Sequence, residues 1–172
     1  AYVYHTTNME TPGESEPFLA KVLKDGYREK VKIATKLPPR LTYTREEMDR
    51  LLNHQLERLE TDHIDFYLIH NVQEIRWKAL TDAGVTDFLD SALKDGRIKH
   101  AGFSYHDTPD FLKKVVDAYN WSFCQVRYNY LDEKFQAGTE GLEYAYDKGL
   151  GKAVIEPLRG GMLAGKLPDG AQ

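Results

Sequence analysis

Three residues in this chain are of types that could together move a proton onto a carbonyl oxygen, and each closes a strand-like run. Tyr4 follows Ala1-Tyr2-Val3, Lys36 follows Val31-Lys32-Ile33-Ala34-Thr35, and His70 follows Ile64 to Ile69. A lysine at the end of an apolar strand is costly to bury unless its charge has work to do. A neighbouring ammonium favours phenolate and so makes a tyrosine a better acid towards a developing alkoxide. An imidazole from the next strand can hydrogen-bond the same oxygen and fix its orientation. Such a set suits carbonyl reduction by hydride from a nicotinamide.

Each residue also has a plainer explanation. A strand-end lysine can snorkel to solvent, a strand-end histidine can be a satisfied structural group, and Tyr4 or its neighbour Tyr2 can simply pack. His5, His54, His63, His100 and His106 show no metal-type spacing. No glycine-rich dinucleotide fingerprint follows a strand, which removes the main support for a Rossmann reading.

The elements that must position these groups alternate along the chain. Val31 to Lys36 reads as a short strand, and Thr44 with Glu47 three residues on forms a capping box. Met48, Leu51, Leu52, Leu56 and Leu59 then mark one buried helical face. Ile64 to Ile69 is a nearly unbroken apolar run, as in a strand covered on both faces. A helical stretch ends near Lys94-Asp95-Gly96, where glycine suits a left-handed terminus. Ile98 to Phe103 is strand-like, and Thr108-Pro109 opens a helix with the stripe Phe111, Leu112, Val115, Val116 and Tyr119. Ser122 to Val126 reads as a strand, Leu142, Ala145 and Tyr146 as one helix face ending at Gly149, and Lys152 to Ile155 as a strand. His5 to Glu14 reads as a surface loop.

This alternation predicts a parallel α/β sheet, either doubly wound or a (β/α)8 barrel. In both, ligands bind at the C-terminal ends of the strands. Those ends carry Tyr4, Lys36, His70 with Asn71, Ser104 with Tyr105 and His106, Gln125 with Tyr128 and Asn129, and Glu156 with Arg159. Barrels typically need about 250 residues, so a barrel of 172 residues is an incomplete one.

The formal charge of -4 argues against nucleic acid or an anionic membrane as partner. No apolar run approaches the ~18 residues of a membrane span. One cysteine, Cys124, permits no internal disulfide, and a reducing, cytoplasmic setting is the expectation.

Six stretches resemble those of the aldo-keto reductase family, in the same order along nearly the whole chain. Ala1 to Tyr4 with Gly13-Glu14-Ser15-Glu16 resembles its Asp-x-Ala-x-x-Tyr strand end and Ser-Glu helix start. Val31 to Lys36 is similar to its lysine strand, and Asp65-Phe66-Tyr67-Leu68-Ile69-His70 to its histidine strand. Gly96 to Ser104 resembles the stretch ending in Gly-x-Ser, and Gln125-Val126-Arg127-Tyr128-Asn129 resembles Gln-Val-x-Tyr-Asn. Glu156-Pro157-Leu158-Arg159-Gly160-Gly161-Met162-Leu163 is similar to the Pro-Leu-x-x-Gly-x-Leu loop over the cofactor pyrophosphate.

The resemblance implies one (β/α)8 barrel domain over residues 1–172, running from the end of strand 2 through strand 7 and lacking both ends. It implies a reductase of aldehydes or ketones using NADP(H), with NAD(H) as the other option. By resemblance Tyr4 donates the proton, Lys36 tunes it and His70 orients the carbonyl. Ser104 and Gln125 hold the nicotinamide carboxamide, and Leu158, Arg159 and Gly160 hold the pyrophosphate. The expected partner is a small carbonyl compound, with oligomers allowed.

There are departures from the family pattern. The family's aspartate falls before Ala1, and Tyr105 occupies the usual asparagine position of Gly-x-Ser-Asn, which puts one carboxamide contact in doubt. The Ser-Tyr-His-Asp variant resembles a microbial branch that often carries a C-terminal iron–sulfur segment, so a cluster beyond residue 172 is an expectation. The isolated chain is expected not to turn over by itself. The competing reading is a nucleotide-sensing regulatory barrel without turnover.

Overall fold

The computed structural model describes residues 13–38 and 44–164; the expected strand end at Ala1–Tyr4, with Tyr4 itself, lies outside them. Five strands run through the described residues: β1 (Ala34–Leu37), β2 (Ile64–Val72), β3 (Ile98–Tyr105), β4 (Phe123–Arg127) and β5 (Gly151–Ile155). Six α-helices accompany them: α1 (Ser15–Val22), α2 (Arg45–Leu59), α3 (Glu74–Asp82), α4 (Val85–Lys94), α5 (Pro109–Asp117) and α6 (Gly138–Asp147).

All neighbouring strands pair in parallel, and their order in the sheet is β1-β2-β3-β4-β5. That order separates the two architectures left open by the sequence. A doubly wound sheet reverses its strand order at a switch point. Here each strand lies beside its predecessor, and right-handed crossovers then put every connecting helix on the same side. The described residues therefore form a segment of a singly wound, barrel-type sheet.

Local chemistry explains the elements. The Thr44 hydroxyl accepts from the Glu47 N–H, and Glu47 Oε2 accepts from the Thr44 N–H, closing the expected capping box of α2. Met48, Leu51, Leu52 and Leu59 are buried as the periodicity requires, while Leu56 is half-buried against the same core. Gln55 stands fully buried inside that stripe. The helical stretch before Gly96 is two helices rather than one, because Gly84 adopts φ 78° and restarts the chain as the N-cap of α4. The helix face of α6 is narrower than expected: Ala145 is buried but Tyr146 lies outward, under the Lys152 ammonium.

The lysine strand begins later than its composition suggests. Ile33 N–H donates to the Asp65 carboxylate at 2.9 Å, and Arg28 donates to the Val31 carbonyl at 3.1 Å. Side chains thus occupy backbone groups that would otherwise join the ladder, and regular pairing starts at Ala34.

The core lies between sheet and helices. Leu37, Tyr67, Ile69, Ala101, Phe103, Tyr105, Cys124 and Val126 face the helices with Leu52, Phe88, Leu89, Leu112 and Val115. In a parallel pair, partners in register share a face and alternate residues change face. The opposite, inner face therefore carries Lys36, Leu68, Gly102 and Phe123 at one level. Gly102 is required there: a Cβ would lie 2.5 Å from the Phe123 ring. That ring meets Phe66 edge-on at 5.3 Å, and Phe66 stacks on His100 at 5.0 Å, closing the inner face below.

Candidate active site

Above that aromatic floor, the C-terminal ends of the strands gather polar side chains on one face. Lys36 pairs with Leu68, so His70 is the next inward residue on β2, one step nearer the rim. Ser104 is the next inward residue after Gly102 on β3, and its register partner on β4 is Gln125. Adjacent strands lie ~4.8 Å apart, so Lys36 and Gln125 are separated by three strand spacings, or about 14 Å along the sheet. Of the groups expected from strand ends, Lys36, His70, Ser104 and Gln125 are thereby brought to one rim; Tyr4 lies outside the described residues.

The local structure at His70 is irregular. Ile69 pairs with Phe103 but Val72 pairs with Tyr105, so β2 holds one more residue than β3 across that interval. The extra residue is absorbed where Asn71 takes a left-handed φ of 55°. Its N–H, out of the ladder, donates to Ser104 Oγ at 2.8 Å. By accepting that bond, the fully buried Ser104 hydroxyl keeps its own proton available to donate. A bulge beside a site re-aims side chains in this way.

Lys36 is only 5% exposed, and burial lowers its pKa from 10.5 to about 8. Its backbone is anchored from the helix side: Gln55 Nε2 donates to the Lys36 carbonyl at 3.0 Å, and the Tyr67 hydroxyl donates to Gln55 Oε1 at 2.8 Å. The apolar stripe of α2 does not single out Gln55; a lone amide at a stripe position is the signal that marks it.

Past β4, a polar network ties two loops together. Asn129, 4% exposed, accepts from the N–H groups of Leu131 and Asp132 and donates to the Asp132 carboxylate at 2.8 Å. Arg127 pairs with Asp132 at 3.2 Å and with Glu156 at 3.0 Å, and Arg159 reaches Asp132 at 3.6 Å. Asp132 joins these groups although nothing in its sequence context singled it out. The loop after β5 turns through Glu156, Arg159, Gly160 and Gly161, all at positive φ. A Cβ at Gly160 or Gly161 would meet nothing within 4 Å, so glycine serves backbone conformation there rather than close packing. Leu158 is exposed.

Tyr105 is not at the rim. It is fully buried on the helix side, and its hydroxyl donates to the Thr108 carbonyl at 2.5 Å. The doubt over its side chain as a carboxamide contact is thus resolved: parity on β3 turns it away from the inner face. Among the described residues there is no group of three or more His, Cys, Asp or Glu side chains placed to hold a metal ion, and Cys124 is buried in the core. No helix among them is long and apolar enough to cross a membrane.

Residues 1–172 match the model of the aldo/keto reductase family. The uncharacterized oxidoreductase YrpG of Bacillus subtilis is 28% identical over 173 residues, which span 90% of this chain and 51% of that protein. Among solved structures, the thermostable aldo-keto reductase Tm1743, crystallised with the inhibitor epalrestat, superposes with a TM-score of 0.73 at 26% identity. It covers 89% of this chain and 54% of that one. An aldo/keto reductase of Klebsiella pneumoniae, solved with NADP and acetate, gives 0.70 at 22% identity over 91% of this chain and 53% of its own. The chain thus spans about half the length of these relatives. None of the three is described as carrying an iron–sulfur cluster, and that expectation finds no support here.

Proposed function

We propose that this chain, which belongs to the aldo/keto reductase family, carries the proton-transfer groups and half the cofactor site of an NADP(H)-dependent reductase of aldehydes or ketones. The observation that carries this reading is Lys36: a lysine 95% removed from solvent, on the inner face, at the strand end it shares with His70, Ser104 and Gln125. A structural lysine would gain by reaching water. One held in place as an ammonium whose pKa is lowered to about 8 is suited to acting on a second group.

The residues fit a nicotinamide cofactor. Ser104 and Gln125, register partners at the rim, offer a hydroxyl donor and an amide to a carboxamide. The loop of Leu158, Arg159 and Gly160 offers a cation and a glycine-shaped turn to a pyrophosphate. When bound, the cofactor supplies hydride to the carbonyl carbon. Tyr4 then gives its phenolic proton to the carbonyl oxygen. Lys36, as ammonium, stabilises the phenolate left behind, which lowers the barrier to that transfer. His70 donates a hydrogen bond to the same oxygen and sets its angle of approach. NADP(H) is favoured over NAD(H) by the Klebsiella pneumoniae relative's complex alone. A sensing barrel without turnover would have no use for the burial of Lys36, so the enzyme reading is preferred.

Following NADPH oxidation across a panel of aldehydes and ketones tests this. Tyr4→Phe should lower turnover by roughly 100- to 10,000-fold with cofactor affinity retained. Near-normal turnover in that variant would overturn the assignment of Tyr4.

A further inference from the structure

With Tyr105 buried on the helix side as the last residue of β3, His106 follows it directly, one residue past the strand end that carries Ser104. Its Nδ1 lies 3.1 Å from Oε1 of Gln136, in the loop between β4 and α6. An amide oxygen can only accept, so Nδ1 carries the proton and the neutral ring keeps its lone pair at Nε2. Burial lowers the His106 pKa; the Gln136 bond and Glu156 oppose that shift, while the Lys36 and Arg127 charges reinforce it. The net effect is a neutral imidazole at pH 7. Gln136 holds its side chain against His106 from a left-handed backbone with φ 56°, a conformation that a non-glycine residue seldom adopts.

We propose that His106 is a nicotinamide-binding residue, its Nε2 accepting a hydrogen bond from the carboxamide NH2 and so making the contact that Tyr105 cannot. Gln136 is the positioning residue that fixes the tautomer. The assignment rests on the reading of this rim as a nicotinamide site. It also gives the Ser-Tyr-His order a physical sense: Ser104 and His106 flank Tyr105, and the residue between them serves the core.

The test compares two cofactors on the full-length protein by quenching of intrinsic tryptophan fluorescence. One is NADPH; the other is its reduced 3-acetylpyridine analogue, in which a methyl group replaces the carboxamide NH2. One neutral hydrogen bond corresponds to roughly 3- to 10-fold in affinity. His106→Leu should weaken NADPH by that factor and leave the analogue unchanged, and His106→Asn, whose amide oxygen accepts, should recover part of the loss. If His106→Leu does not fold, Gln136→Leu supplies the same comparison, since it keeps the imidazole and removes only its anchor. Equal weakening of both cofactors, or of neither, overturns the role of His106 and leaves the reductase reading standing. Absence of binding of either cofactor to the wild type overturns both.

Discussion

Lys36→Met should stabilise the fold while abolishing the reaction. The ammonium of Lys36 is almost wholly removed from water, and its pKa falls from 10.5 to about 8 on folding. Each unit is worth about 1.36 kcal/mol, so keeping this group charged in the folded state costs on the order of 3 kcal/mol at pH 7. Whatever partners the ammonium has are already contained in that net lowering. Methionine has a similar length and volume and no charge, so it relieves the cost without opening a cavity. The native protein releases this proton near pH 8, whereas the unfolded chain holds it to pH 10.5. Between those values the unfolded state binds more protons, and wild-type stability gains from this group as pH rises. Urea unfolding of both proteins from pH 7 to pH 10 reads the difference, because other titrating groups cancel between them. The variant should be more stable by up to about 3 kcal/mol at pH 7, and the gap should close as pH climbs from 8 to 10.5. A variant less stable than wild type at pH 7, or a gap that ignores pH, would refute the argument that burial dominates at Lys36.

Other outcomes follow from the same geometry. If the charged form of Lys36 assists proton transfer, kcat/KM for carbonyl reduction should fall above about pH 8, and a flat profile to pH 10 would count against it. Gly102→Ala should cost about 1–3 kcal/mol in thermal unfolding, since its Cβ would overlap the Phe123 ring; an unchanged Tm would mean the ring moves aside freely. Asp65→Asn should cost about 1–3 kcal/mol by removing the charge that accepts from Ile33 N–H and pairs with Arg28 and Lys32, each at 3.1 Å, and urea midpoints would report it. Thr44→Ala should cost about 1 kcal/mol through loss of the capping box of α2, again measured by urea unfolding.

Much of the fold was legible because its signals are local. The capping box at Thr44, the proline start at Pro109 and the left-handed Gly96 each depend on a few consecutive residues, and each stands where the sequence put it. Boundaries failed where a side chain intervened: Asp65, 32 positions away, takes the Ile33 N–H, and Arg28, across a turn, takes the Val31 carbonyl, so regular pairing waits until Ala34. The choice between a doubly wound sheet and a barrel was beyond any local signal. It is a property of strand order, and only the pairing of each strand with its predecessor decides it.

The candidate site was legible through residue type and parity together. Once β1 and β2 are in register, Lys36 and His70 must share the inner face, and the same rule carries Ser104 and Gln125 to it. What parity could not reveal is the extra residue at Asn71, which restores Val72 to the core two positions after an inward His70. Without that bulge, Val72 would turn inward with His70 and lose its place opposite Tyr105. The bulge lets β2 end in the core and still present its histidine, and the N–H it releases is the one that engages Ser104. Sequence alternation places the chemical groups on a face; the irregularity at Asn71 links two of them, and it is there that the backbone departs from its ordinary conformation.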